Sequence, residues 1–188
     1  MRVSKQYQAG ALLVTVPTFA DSRGSLAVPY EVVAARGLGL PAVFAQDVHS
    51  ISDWPGTIRG IHLQLPPHEQ GKLVRVLRGA ILDVIIDLRP GSDHLGRHEE
   101  IELSAGGGLQ LWIPPGFGHG FVTLEAGTEV FYKCDAPYVQ DREWTLAWDD
   151  PTLGVDWPLG PEGPVLSVKD QAGHSFEETM AAIIEAGS

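Results

Sequence analysis

From Thr57 onward the chain is built of short runs in which apolar and polar residues alternate, each closed by turn-forming residues. The runs are Thr57–Gln64, Lys72–Leu77, Ala80–Leu88, His98–Ser104, Leu109–Ile113, Gly120–Leu124, Glu129–Cys134 and Trp144–Trp148. Pro66-Pro67, Arg78-Gly79, Pro90-Gly91, Gly106-Gly107-Gly108, Pro114-Pro115-Gly116 and Ala126-Gly127 separate them. Short strands at close spacing with turn signals between them predict a β-sandwich or barrel. Upstream, Ala11–Val16 reads as a strand closed by Pro17, and Asp21-Ser22-Arg23-Gly24 as a turn. Glu31–Arg36 reads as a short helix stopped by Gly37 and Gly39, and Val43–Ile51 as a strand of mixed character. The last segment changes period. Ser175 and Glu178 form a capping box, and Phe176, Met180, Ile183 and Ile184 follow at helical spacing, so one amphipathic helix is expected over about 176–186. With no repeat and no low-complexity linker, a single domain over 1–188 is expected.

Three ionisable residues break the pattern of this β region. His62 lies inside one strand, Lys72 opens the next and Asp83 lies inside a third; His119 follows in a fourth stretch. Strand interiors favour apolar residues, so such groups need a reason. In an extended strand Gly60, His62 and Gln64 share one face, and Ile61, Leu63 and Leu65 the other. If the apolar set faces the interior, His62 is a surface histidine; if the barrel carries a ligand cavity, the polar set lines it. Arg59 has the opposite parity, and the two meet one ligand only if Gly60 kinks or bulges the strand. Both faces of Ala80–Leu88 are rich in Ile, Leu and Val, so Asp83 is expected to be buried. It then needs a cation or hydrogen-bond donors, and a lysine on a neighbouring strand is the simplest partner.

Composition narrows the partners. A net charge of −11 disfavours a nucleic-acid backbone, while leaving room for an anionic ligand on a few local Arg and Lys residues. Cys134 is the one cysteine, which rules out an intrachain disulfide and suits the cytoplasm. No apolar run is long enough for a signal peptide or a membrane span, and neither is expected.

Metal-binding cupin barrels carry His-x-His then Glu, followed later by Pro-x-Gly-x-x-His. Pro114-Pro115-Gly116-Phe117-Gly118-His119 fits the second motif, but Gln64 stands where the first needs a histidine. Glutamine is a poor ligand for metals that favour imidazole, so the barrel type is supported and no metal or other cofactor is expected. A metal-dependent oxygenase or isomerase using His62, Glu69 and His119 is the competing enzyme class, and a non-catalytic sugar-binding barrel is a third reading.

The segments IRGIHLQ, QGKLVRVLRGAILDVIIDLR, LQLWIPPGFGHGFVTL, EVFYKCDAPY, DDPTLGVDWP and LSVKD occur in order between Gln46 and Asp170. With them the chain resembles the dTDP-4-dehydrorhamnose 3,5-epimerases, deoxysugar epimerases of the cupin superfamily. The resemblance implies an all-β, cupin-like jelly-roll barrel with a few short helices, one of them C-terminal. It implies a homodimer and a nucleotide-sugar substrate, a dTDP-linked 4-keto-6-deoxyhexose inverted at C3 and C5 through an enolate. By the same resemblance His62 is the base, Tyr132 the acid and Lys72 the group beside the sugar ketone, while Asp170 orients His62. Arg59, His119, Glu143 and Lys169 hold the nucleotide-sugar, Gln46, Asp47 and Val48 line the nucleotide pocket, Tyr138 stacks on the base, and Arg23 binds ligand. Asp83 is expected to keep Lys72 charged. One departure stands out: after Arg23-Gly24 the family runs through aromatics to a glutamate, whereas this chain reads Ser25-Leu26-Ala27-Val28. An epimerase acting at C3 or C5 alone is the nearest alternative.

Overall fold

The computed structural model describes residues 1–7 and 10–187. Two sheets face each other. The first contains β1 (Arg2–Gln6), β2 (Leu12–Thr15), β5 (Gln46–Ser52), β7 (Lys72–Arg78), β10 (Leu109–Ile113) and β12 (Thr128–Cys134), in the order β1-β2-β10-β7-β12-β5. The second contains β6 (Ile58–Gln64), β8 (Ala80–Asp87), β9 (His98–Ser104), β11 (Phe117–Thr123) and β13 (Glu143–Thr145), in the order β13-β6-β11-β8-β9. All pairings between these strands are antiparallel. A two-stranded hairpin, β3 (Thr18–Asp21) and β4 (Gly24–Ala27), pairs with neither sheet. Among the described residues three α-helices complete the fold: α1 (Val32–Gly37), α2 (Val168–Gln171) and α3 (Phe176–Ala186). No helix among the described residues is long and apolar enough to cross a membrane.

The expected all-β barrel with few helices is what forms. The capping box at Ser175 and Glu178 is made, and α3 spans Phe176–Ala186. Glu31 caps α1 with its side chain, which accepts from the backbone N–H groups of Val33 and Ala34. The structure differs in its edges. The strand expected to start at Val43 starts at Gln46, Trp144–Trp148 shortens to Glu143–Thr145, and Gly120–Leu124 begins three residues earlier, at Phe117. The Asp21–Gly24 turn closes a hairpin rather than a loop. Helix α2 has four residues, too few to show a period, and begins where Ser167 caps it.

Three apolar clusters hold the sheets together. One lies between them: Val74, Val76, Ile81, Ile85, Leu111, Phe117, Phe121 and Val130 are all buried there. A second covers the outer face of the β6 sheet, where Ile61, Leu63, Val84, Ile86 and Val122 meet Leu146, Trp157 and Ile183 of the C-terminal segment. A third covers the outer face of the other sheet, where Leu73 and Trp112 meet Ala35 and Leu40 beside α1. The question left open for β6 is thereby settled. Its apolar residues Ile61 and Leu63 face outward under the C-terminal cover, and His62 and Gln64 face the interior.

Gly60 makes the bulge that the parity argument required. His119 pairs with His62 and Phe121 with Arg59, so two residues of β6 oppose one of β11. Arg59 and His62 consequently face the same cavity. Gly60 has φ +118°, and a Cβ there would lie 2.7 Å from both Gly120 Cα and the His119 carbonyl oxygen. Left-handed strain costs about 1–3 kcal/mol before any clash is counted. Gly60→Ala is therefore expected to lower the melting temperature by roughly 5–10 °C, from about 2–4 °C per kcal/mol in a chain of this size, as calorimetry would measure. A melting temperature within a degree of the parent would contradict this account.

Candidate active site

Six strands bring the chemistry together. From the β6 sheet come Arg59 and His62 (β6), Asp83 (β8) and His119 (β11); from the facing sheet come Val48 (β5), Lys72 (β7) and Tyr132 (β12). They surround a cleft with two lobes that share Val48, His62, Lys72 and Tyr132. One lobe, of about 420 Å³, is also lined by Arg59, His119, Lys169 and Asp170. The other, of about 290 Å³, is also lined by Gln46, Gln70, Cys134, Tyr138 and Glu143. A larger, mainly apolar cavity of about 690 Å³ lies between α3 and the barrel, and of the ionisable groups singled out above only Glu69 lines it.

His62 Nε2 lies 2.6 Å from Asp170 Oδ1. Burial alone would raise the Asp170 carboxyl, but hydrogen bonds from His62 and Ser167 hold it below its ordinary value. The carboxylate is thus ionised and can only accept, so Nε2–H donates, and in the neutral imidazole Nδ1 is then the nitrogen with the lone pair. Ser167 fixes the carboxylate in turn. Its hydroxyl donates to Asp170 Oδ2 at 2.7 Å while accepting from the Asp170 N–H at 3.1 Å. Ser167 was not among the expected site residues, although Ser-x-x-Asp before a helix is a visible capping signal.

Across the cleft, burial pushes the Tyr132 phenol up to about 12, with the Cys134 and Glu143 charges adding to it and Arg59 opposing. Burial pulls the Lys72 ammonium down from its ordinary value, and Cys134, Asp83 and Glu143 offset part of this. Asp83 was expected to pair with Lys72 directly. Its contact is instead with His119, whose Nε2 lies 3.0 Å from Asp83 Oδ2, and its effect on Lys72 is through charge alone. The register explains this: Asp83 faces Phe121 on β11, one pleat from His119, whereas β7 belongs to the other sheet. His119 is itself buried, and burial lowers its pKa against the pull of Asp83.

The mouth of the cleft is an ionic chain. Lys169 Nζ lies 2.6 Å from Glu143 Oε1, and the Tyr138 hydroxyl donates to Glu143 Oε2 at 3.1 Å. Burial alone would raise the Glu143 carboxyl, but Lys169 holds it low. Gln64, in the place of a second metal histidine, uses its amide on backbone: it donates to the carbonyls of His68 and Pro137 and accepts from the Val139 N–H. That fixes the loop carrying Tyr138. Among the described residues no group of three His, Cys, Asp or Glu side chains is placed to hold a metal ion, and Glu69 belongs to the cavity beside α3.

Besides Asp83, which is buried behind the wall, two expected residues fall outside the cleft. Asp47 alternates to the outer face of β5, where its carboxylate lies 2.8 Å from Lys133 Nζ. Arg23 sits at the tip of the β3–β4 hairpin, its side chain 88% exposed and paired with Asp21. The hairpin's own hollow, lined by Phe19, Arg23 and Leu26, shares no residue with the cleft.

The family model for dTDP-4-dehydrorhamnose 3,5-epimerase matches residues 6–178. The chain belongs to the dTDP-4-dehydrorhamnose 3,5-epimerase family. It is 43% identical over 166 residues to the enzyme of that name from Sinorhizobium fredii, covering 88% of this chain and 85% of the relative. The crystal structure of the Bacillus anthracis enzyme with TDP and PPi bound is similar at a TM-score of 0.89 and 38% identity, covering 93% of this chain and 98% of that one. That of the Legionella pneumophila enzyme in complex with dTDP-4-keto-L-rhamnose is similar at 0.86 and 36%, covering 92% and 91%. The family's cupin-like jelly roll is the fold described above.

In this epimerase fold Ser167 has a measurable part. A hydrogen bond to a charged group contributes about 1.5–3 kcal/mol. Ser167→Ala is expected to lower kcat by about tenfold or more with KM little changed, and Ser167→Thr to restore most of the loss. Equal rates for the parent and Ser167→Ala would refute the assignment.

Proposed function

We propose that this chain inverts C3 and C5 of a dTDP-linked 4-keto-6-deoxyhexose, converting dTDP-4-dehydro-6-deoxyglucose to dTDP-4-dehydrorhamnose. The observation that carries this reading is the placement of the His62–Asp170 pair on one side of a single cleft, with Tyr132 and Lys72 on the other. Both carbons flank the ketone, so their protons are acidic. His62 Nδ1 removes one, and the electron pair moves to the carbonyl oxygen as an enolate. Lys72 offers positive charge to that oxygen; a comparable oxyanion donor contributes roughly 3–4 kcal/mol. Tyr132, which keeps its proton far above neutral pH, returns a proton to carbon from the opposite face, and the centre inverts. Asp170 stabilises the imidazolium formed on the way.

Arg59 and Lys169 supply cations for the diphosphate, and Tyr138, in the second lobe, an aromatic face for the nucleobase. His119 and Glu143 complete the walls around the sugar. Val28 in place of the family glutamate leaves recognition of the base to the cleft residues. The lone buried thiol, Cys134, supports a cytoplasmic setting.

A homodimer belongs to the same reading. Phe19 and Leu26 are cross-strand partners on the free hairpin, 63% and 62% exposed. A second copy of the chain would cover them, and would bring Arg23 to ligand that its own cleft keeps out of reach. Light scattering at micromolar concentration is expected to give twice the 20.3 kDa chain mass. A monomer would defeat the proposal.

Incubation with dTDP-4-keto-6-deoxyglucose in deuterated water tests the reaction. Deuterium is expected at both C3 and C5 of the product, and exchange at one carbon alone would identify a single-centre epimerase. His62→Ala is expected to lose about 10²–10⁴ in rate, the usual contribution of a general base. Tyr132→Phe is expected to keep exchange while losing inversion, because His62 can still return a proton to the face it came from.

A further inference from the structure

Asp83 is fully buried, and its Oδ1 has no hydrogen-bond partner. Among the described residues its other oxygen is hydrogen-bonded to His119 alone. Neither residue is needed to remove or return a proton at carbon, yet an ionised carboxylate in this position is expensive to bury. The second cost of the reaction explains it, provided that two centres invert as proposed above. Each inversion leaves His62 with one proton too many and Tyr132 with one too few. Before the second, one proton has to travel from the imidazolium to the phenolate while substrate fills the cleft.

We propose that His119, held by Asp83, carries that proton. His119 Nε2 is engaged by Asp83, so Nδ1 is the nitrogen available to the cavity that His119 lines with His62 and Tyr132. His119 is the register partner of His62 on the adjacent strand, and its ring stands edge-on to Tyr132 with centroids 6.4 Å apart. It therefore neighbours both the donor and the acceptor on the wall of one cavity. The proton leaves His62 Nδ1 and occupies His119 Nδ1, giving a transient imidazolium beside the Asp83 carboxylate. It then passes to the Tyr132 oxygen. His62 ends neutral, Tyr132 protonated and His119 unchanged, with no other reactant consumed.

The groups facing His119 suit a carrier. Asp83 favours its charged form, whereas burial, the largest effect, and the Lys72 and His62 charges favour the neutral one, so an imidazolium formed there is transient and gives its proton up. Lys72 is less suited, because no carboxylate lies within ion-pair distance of it among the described residues and its charge is required again at the oxygen in the second step.

Rapid-quench single turnovers with dTDP-4-keto-6-deoxyglucose in deuterated water test this. For the parent, both centres invert with little singly inverted sugar, the first carbon carries deuterium and the second carries protium passed on from the first. For His119→Asn the second inversion is expected to slow at least about tenfold more than the first, with singly deuterated, singly inverted sugar accumulating and added imidazole restoring the second step. Asp83→Asn, which keeps a hydrogen-bonding amide but not the charge, is expected to show the same accumulation more weakly and serves if the first variant fails to fold. Proportional slowing of both inversions, as lost sugar binding would give, overturns the relay and leaves the epimerase reading intact. Inversion at one carbon alone in the parent overturns both.

Discussion

A barrel that keeps histidines, a lysine and a carboxylate in its interior has to find its apolar burial elsewhere. That constraint organises this chain. Between the sheets the apolar cluster fills only the part of the interior left by the cleft. The remaining burial is on the outer faces, under the C-terminal segment on one side and the α1 region on the other. The C-terminal segment has a double role. Leu146, Trp157 and Ile183 cover β6 from outside, and the same segment delivers Asp170 to the inner side of that strand. Stability and catalytic geometry are thus coupled through one stretch of chain, and β6, clamped between the cover and the cleft, is where they meet.

Much of this was legible in the sequence, and the reasons differ from element to element. Strands in the β region read clearly because turn residues bracket them. The capping box fixed the last helix to the residue. Asp83 and His62 stood out because an ionisable group inside a strand violates the local pattern, and Gly60 because the parity of Arg59 and His62 required a bulge. What was not legible was pairing across the sheets. A lysine was the simplest partner for Asp83, but which strand lies next to β8 is decided by topology, and topology placed His119 there. Asp47 and Arg23 lie outside the cleft for a related reason. A motif match assigns a position to a site without saying which way its side chain faces, nor which copy of the site it serves.

The resemblance and the residue-level reading supplied different things. Periodicity alone left His62 undecided between surface and interior, and no spacing argument links Tyr132 with Asp170, thirty-eight positions later. The motif order did link them. Conversely, the family pattern gave no account of Gln64. The structure does: an amide that could have been a weak metal ligand is fully occupied in holding three backbone groups, and so builds the Tyr138 end of the cleft.

The cleft also shows why an imidazole and a phenol make a workable acid–base pair within one small volume. A shared environment would shift two like groups together, leaving neither with a distinct role. Here the groups differ in kind and in partner. Burial opposes the charged forms of Tyr132 and Lys72, which keeps the phenol protonated and weakens the hold of the ammonium on its proton. His62 alone is given a carboxylate at 2.6 Å to stabilise its charged state. Separation of roles by environment is the general route to acid–base chemistry near neutral pH. Placing the two on opposite sheets adds the stereochemical half of the argument. A proton removed from one face and returned from the other is an inversion by construction, whichever of the two carbons is presented. The same wall of side chains can therefore serve two centres in succession, on the condition that its protons are redistributed in between.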